Sequence, residues 1–413
     1  MIYKRITQCR LCKSNHLTSI LSLGSQCLTG IFPSANGPDI ESGPLELFKC
    51  DECHLVQLAD NYDLSKLYGD NYGYRSGLNQ SMVAHLQAKA EKILVTIKPS
   101  AGDIVLDIGS NDGTTLGAYQ SRDLQFIGMD PSGSKFEKYY KSDITLIPDF
   151  FSASRFTQIF GSKKAKIITS IAMFYDLEDP IDFAKQIGSI LHEDGIWVFE
   201  QSYLPSMMEA MAYDTICHEH LEYYSLYQIK LILEHSNLKL IDVDFNKVNG
   251  GSFSVTAGHK SSQLKTNEAL ISKIIRDEES QGYRTLELYS RFSRKTKEHR
   301  DQLISTVKKL KENGARIHGY GASTKGNVIL QYCGFNSSDL EVIAEVNEEK
   351  FGKVTPGTKI PITSESASKK MNPSHYLVLP WHFREGIVAR EQEYIKGGGK
   401  LLFPLPEIGI FPT

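Results

Sequence analysis

The apolar run Ile104–Ile108 passes straight into a glycine-containing turn, Gly109 to Gly113, and this junction restricts the fold more tightly than any other stretch. A run too short for a helix and apolar at nearly every position reads as a strand buried on both faces. Further short apolar runs follow at Phe126–Asp130, Thr145–Ile147, Lys166–Ser170 and Ile196–Glu200, with room for a helix between them. Strand, turn and helix in that rhythm predict an α/β fold built on a doubly wound parallel sheet. A second unit of the same kind, and smaller, begins at Arg316 and continues through Val342–Val346, Tyr376–Pro380 and Lys400–Pro404.

A chain of 413 residues is too long for one ordinary core, so two or three domains are expected. Hydrophobic content of 41% with 23% charged residues fits a soluble globular enzyme. A net charge of −3 gives no broad field for nucleic acid. No apolar run reaches the roughly 18–20 residues of a membrane helix, and the first residues lack an apolar signal core. No membrane partner and a cytoplasmic location are therefore the expectation, with oligomeric state open and a monomer acceptable.

Four of the seven cysteines form Cys9-x-x-Cys12 and Cys50-x-x-Cys53. Two such knuckles suit a tetrahedral Zn²⁺ with sulfur ligands at about 2.3 Å, and four sulfurs leave no open position for catalysis. A structural zinc is expected; two unrelated thiol pairs or a redox pair are the alternatives, the latter lacking a βαβ setting.

The turn after Ile104–Ile108 reads Asp107-x-Gly109-x-Asn111-x-Gly113, without the spacing of a dinucleotide fingerprint and without a basic residue for a pyrophosphate. Asp130 ends the next strand, where it suits two ribose hydroxyls, and Asp149 with Phe150 suits an adenine edge. That combination resembles the S-adenosylmethionine loop of class I methyltransferases. The second glycine turn, Gly319 to Asn327, adds Ser323 and Lys325, which suit a phosphate at a helix N-terminus. Between the two units, Tyr213–Ser225 crowds histidines, glutamates, tyrosines, an aspartate and a cysteine into one run suited to moving a proton.

Taken together, the cysteine module, the Asp107–Gly113 loop, Ile216–Ser225, Asn249–Ser252, Gly319–Ala322 with Lys325–Asn327, and Leu379–Phe383 resemble the nucleotide-sugar C-methyltransferases. Those enzymes act on 4-keto-6-deoxyhexoses. The resemblance covers nearly the whole chain. It implies a class I methyltransferase sheet flanked by a small N-terminal zinc-binding domain and a C-terminal Rossmann-like α/β domain. The expected borders are 1–75, 76–262 and 263–413. By motif match Glu219 and His220 inherit the base, and Tyr72 and Tyr74 line the site. Three positions depart from the family pattern: Cys217 stands where a tyrosine is common, Asp176 where a histidine is common, and Ser254 where an arginine is common.

The implied reaction uses S-adenosylmethionine and a nucleoside-diphosphate keto-sugar. His220 removes a proton beside the ketone, Glu219 orients or tunes its imidazole, and His218 or a tyrosine hydroxyl steadies the enolate. Cys217, Asp176, Tyr224, Asn249, Gly321, Ser323, Lys325, Asn327, Trp381 and His382 are the expected substrate contacts. The rivals are an O- or N-methyltransferase, a zinc hydrolase built on His218-x-His220, and a non-catalytic binding protein.

Overall fold

The structure, a computed structural model, describes residues 2–67, 74–120 and 123–412. The middle of the chain forms a seven-stranded sheet. Its order is Leu238–Asn246, Ser252–His259, Leu191–Ser202, Ala165–Ile171, Ile104–Ile108, Gln125–Met129 and Ile144–Ile147. The last five are parallel, and the Leu238–Asn246/Ser252–His259 hairpin joins the edge antiparallel. Ile104–Ile108 is buried at every position, as its composition requires. From it the chain winds outward to Ile144–Ile147, then returns to lay Ala165–Ile171 on its other side. The sheet therefore switches direction beside Ile108, and in such folds a ligand cleft opens at the carboxyl ends of the strands there.

The four N-terminal cysteines sit at the base of an antiparallel sheet of Leu17–Cys27, Ser42–Cys50 and Val56–Leu58. Its fourth strand is Glu222–Tyr223, which arrives from the polar run far along the chain and pairs with Val56 and Gln57. In the C-terminal sheet, Ile362–Ser364, Ile343–Glu345, Ile317–Tyr320, His375–Val378 and Lys400–Phe403 are parallel, and Gly409–Phe411 closes one edge. The charged stretch 267–313 forms two helices, Glu268–Ser280 and Leu286–Glu312. Gly282, at a φ of 88°, makes the turn between them. Among the described residues, no helix is long and apolar enough to cross a membrane.

Arg10, between two of the cysteines, ties this assembly together. Its buried guanidinium donates to the carbonyls of Leu58 at 2.7 Å, Asp60 at 3.2 Å and Leu221 at 3.4 Å, and lies 3.7 Å from the Glu222 carboxylate. Burial pulls the Arg10 pKa down and pushes Glu222 well up, so burial outweighs their attraction. What holds the pair is the set of carbonyls around the arginine. Replacing Arg10 by methionine takes a donor from each of those carbonyls and leaves the buried Glu222 carboxyl without its cation. The expected cost is about 3–5 kcal/mol, read as a lower denaturation midpoint. Adding Glu222→Gln to Arg10→Met is expected to restore part of it.

Candidate active site

The glycine turn at the switch point is held open by its own hydrogen bonds. Gly109, Asn111 and Gly113 adopt φ angles of 72°, 51° and 75°. A Cβ on Gly113 would stand 3.1 Å from the Tyr140 ring, so a side chain there meets a wall. Asp107 is buried and accepts the Thr169 hydroxyl at 2.5 Å; burial pushes its pKa up to about 7. Asp130 accepts the Asn111 N–H at 2.8 Å and the Ser132 N–H at 2.6 Å. Residues before the first long helix fold over the turn: Ser76 N–H donates to the Asn111 side chain at 2.9 Å, and Asn111 donates back to the Tyr74 carbonyl at 3.1 Å. Tyr74 thus meets this turn through its backbone, while its side chain is exposed. Tyr72 lies outside the described residues.

These residues fit S-adenosylmethionine. Phe150 leaves 46% of itself exposed just past Ile144–Ile147, an uncovered aromatic face where an adenine can lie. Asp149 beside it is exposed, with one oxygen taking the Phe150 N–H at 2.8 Å. The four cysteines equally fit zinc. Their sulfurs all lie within 4.8 Å of one another, with Cys9–Cys53 and Cys12–Cys50 at 3.5 Å. Tetrahedral sulfurs around zinc stand about 3.8 Å apart.

The polar run delivers His220 to a narrow cleft lined by Tyr175, Ser202, Leu204, Met207, Thr215, Glu222 and Tyr223. The His220 ring packs 4.2 Å from the Tyr175 ring, and its Nδ1 lies 2.7 Å from the Thr215 carbonyl. A carbonyl only accepts, so Nδ1 carries a proton and the neutral ring keeps its lone pair on Nε2. Thr215, not Glu219, therefore fixes the imidazole, against the sequence expectation. Burial first, then the Lys325 charge, pull the His220 pKa down to about 3. A Cβ on Gly109 would stand 3.1 Å from Met173, two residues before Tyr175, so the glycine turn and the His220 ring both meet the loop that follows Ala165–Ile171.

Glu219 faces the opposite wall. Burial raises its pKa, and one oxygen would come within 2.5 Å of a Cβ on Gly30, in the N-terminal sheet's outgoing loop. Cys217 is buried; burial, then Glu219, then Asp176 push its thiol well up, so two of the departures from the family pattern share one neighbourhood. The third, Ser254, accepts from Lys89 at 2.8 Å, and that ammonium also lies 2.6 Å from Glu200. A cation from the helix Gln80–Ile97 thus stands beside the serine.

The C-terminal unit closes the site. Lys325 donates to the Asn249 carbonyl at 2.9 Å, and Trp381 donates from its indole to Asp214 at 2.8 Å. Asn327 donates to the Thr29 carbonyl at 2.8 Å, and Ser323 caps the helix by accepting Gly326 N–H at 3.0 Å. Gly321, at a φ of 83°, packs against Pro380. Burial and then Lys325 pull His382 down to about 3. Buried polar atoms without a hydrogen-bond partner gather here: a Glu219 oxygen, an Asp214 oxygen, the Thr29 hydroxyl, the Asn327 carbonyl oxygen and His382 Nδ1.

Two expected residues point elsewhere. His218 is fully buried, edge-on to Tyr62 at 4.7 Å, with a pKa pulled down to about 4 by burial. Tyr224 packs on Phe174 at 5.6 Å within the middle sheet's core. Among the described residues, the one group able to ligate a metal is the four cysteines, so His218-x-His220 makes no second centre. The sequence reading missed Tyr175, Thr215 and Gly30. Nothing local marks Gly30 or Thr215, but Tyr175 directly precedes Asp176, itself singled out.

Three family descriptions match in succession: a zinc binding domain over residues 9–68, a methyltransferase domain over 82–243, and the C-methyltransferase C-terminal domain over 247–406. The C-methyltransferase NovU of Streptomyces niveus is 27% identical over 412 residues, 98% of this chain and 97% of its own. Among solved structures, an S-adenosylmethionine-dependent methyltransferase from Clostridium acetobutylicum is 13% identical at a TM-score of 0.34, covering 43% of this chain and 92% of its own. The plantazolicin methyltransferase BpumL in complex with SAH is 13% identical at 0.33, covering 41% and 81%.

Elemental analysis is expected to give one zinc per chain, lost on Cys53→Ser and unaffected by His218→Asn. Because Lys325 helps hold His220 at about 3, Lys325→Met is expected to move the His220 titration upward, toward the ordinary value near 6.5. Imidazole ¹⁵N shifts followed against pH read this directly.

Proposed function

We propose that this chain, which belongs to the S-adenosylmethionine-dependent C-methyltransferases bearing an N-terminal zinc-binding domain, methylates a sugar carbon next to a ketone. The substrate on this reading is a nucleoside-diphosphate 4-keto-6-deoxyhexose, and C3 is the carbon. The observation that carries the reading is the bare Nε2 of His220 in a cleft lined by Tyr175, whose loop reaches the Gly109 turn through Met173.

A carbon beside a ketone can lose a proton to give an enolate, whereas an ordinary sugar carbon cannot act as a nucleophile. Nε2 of His220 takes that proton, and the Thr215 carbonyl holds the charged ring in place. Tyr223 lies in the same cleft with a buried hydroxyl that has no hydrogen-bond partner, and burial pushes its pKa well up. That hydroxyl stays protonated and donates to the developing enolate oxygen. Bound S-adenosylmethionine supplies an electrophilic methyl group for the enolate carbon. Glu219, favoured in its neutral form by burial, serves as a donor to a sugar hydroxyl.

A base with a pKa near 3 is weak. Lys325 is part of the cause, so an anionic diphosphate beside that ammonium offsets it and strengthens the base when substrate is bound. Asp214, His382 and Asn327, together with Cys217 and Asp176, then shape the sugar's surroundings.

The wild-type enzyme incubated in D₂O with a nucleoside-diphosphate 4-keto-6-deoxyhexose and no methyl donor is expected to exchange the proton beside the ketone. His220→Ala is expected to lower exchange by about 10²–10⁴-fold. Methyl found on oxygen or nitrogen, by mass spectrometry and NMR of the product, would sink the carbon-acid reading and favour the O- or N-methyltransferase.

A further inference from the structure

Glu278, an acid with no part in the proposed reaction, is 4% exposed near the end of helix Glu268–Ser280. One of its oxygens accepts the Tyr203 hydroxyl and the Leu226 N–H, each at 2.7 Å, and the other accepts the Tyr227 N–H at 3.2 Å. Those donors belong to the two segments that line the His220 cleft. Tyr203 stands between Ser202 and Leu204, both in the cleft lining. Leu226 opens the helix Leu226–His235, three residues after Tyr223, which lines the cleft as well. The segments also meet directly, where Leu204 donates its N–H to the Tyr224 carbonyl at 2.9 Å.

The start of that helix shows what the glutamate adds. A helix leaves its first four N–H groups without partners inside the helix. Ser225 and Gln228 form a reciprocal capping box that satisfies the N–H groups of residues 225 and 228. The other two, on Leu226 and Tyr227, are the ones Glu278 accepts, from 52 positions beyond Leu226. Negative charge at a helix N-terminus is also favoured by the helix dipole. The clamped segments carry further parts of the site. Tyr203 donates its N–H to the Gly251 carbonyl at 3.2 Å, two residues beyond Asn249, whose own carbonyl takes Lys325. Gln228 donates to the Cys53 carbonyl at 3.0 Å, in the second cysteine knuckle. Removing the Glu278 carboxylate strands two backbone N–H groups and a tyrosine hydroxyl, which regain partners by letting water in between the segments.

We propose that Glu278 is a positioning residue for the proton abstraction. It clamps residues 202–204 to the segment that follows Glu222–Tyr223, which keeps water from the His220 ring and fixes the Tyr223 hydroxyl relative to it. The catalytic consequence rests on the C-methylation reading above; the effect on the His220 surroundings stands without it.

Imidazole ¹⁵N shifts of the full zinc-loaded chain, followed against pH in Glu278→Ala, Glu278→Gln and Tyr203→Phe, test the clamp. Burial is the first cause that holds His220 at about 3, so Glu278→Ala is expected to move its titration upward, toward the ordinary value near 6.5. Glu278→Gln keeps one acceptor oxygen for Tyr203 and Leu226 and is expected to move it less. Tyr203→Phe removes one donor, keeps the carboxylate, and is expected to give a small shift in the same direction. His218, held at about 4 against Tyr62, is expected to stay in place. Proton exchange in D₂O at saturating keto-sugar nucleotide is expected to fall about 10–10²-fold in Glu278→Ala. Zinc content, S-adenosylhomocysteine affinity and the half-saturating substrate concentration are expected to stay near wild type. An unmoved His220 titration, undiminished exchange at saturation, or an equal shift of His218 in the variants overturns the clamp. Wild type without exchange overturns the C-methylation reading alone, and the His220 titration still decides the clamp.

Discussion

Everything around the proposed base depends on how one buried arginine is held. Arg10 sits inside the first cysteine knuckle, and its guanidinium gathers the carbonyls of Leu58, Asp60 and Leu221 beside the Glu222 carboxylate. A guanidinium has five N–H donors in a rigid fork, so it fixes several chain segments at once. Zinc bound by the four sulfurs fixes the arginine's own backbone. Leu221 immediately follows His220. The metal is thus far from the chemistry in kind but only a few contacts from it in structure.

The second organising constraint is where a doubly wound sheet can expose a ligand. Its strands are buried on both faces, so only their carboxyl ends, at the switch between Ile108 and Ile171, are open to bind. The Gly109–Gly113 turn leaves from one of these ends, and the Tyr175 loop leaves from its neighbour. His220 is packed against that loop, which places a proton acceptor close to where a methyl donor would bind. The C-terminal unit follows the same plan: Glu345 ends its second strand, Ile343–Glu345, and accepts the Ala322 N–H of the Gly321 turn at 2.7 Å.

Much of this was legible in the chain itself. Short apolar strands, the two glycine turns and the paired Cys-x-x-Cys spacings are local signals, and each maps onto an observed element. The five parallel strands of the middle sheet and the cysteine cluster follow from them. The edge strand Leu238–Asn246 and the two-residue strand Glu222–Tyr223 carried no such signal. The latter exists because its partners lie some 165 positions earlier in the chain. His218 and His220 look equivalent in sequence, two residues apart. One is buried against Tyr62 and the other faces the cleft, because the backbone between them turns from one core to another.

The sequence by itself determined which chemistry is present: sulfur ligands at metal spacing, glycines where backbone must approach a ligand, and a dense supply of proton carriers. Spacing and composition encode these because each depends on residues close in the chain. Only the tertiary structure decided how that chemistry is used. Thr215 rather than Glu219 fixes the His220 tautomer, Lys325 lowers its basicity, and Lys89 supplies a cation beside Ser254. The latter two are contacts between segments remote in sequence, and even the Thr215 bond depends on how the loop folds. Hydrogen-bond direction and the field of a charge are properties of distance, which a linear pattern does not contain.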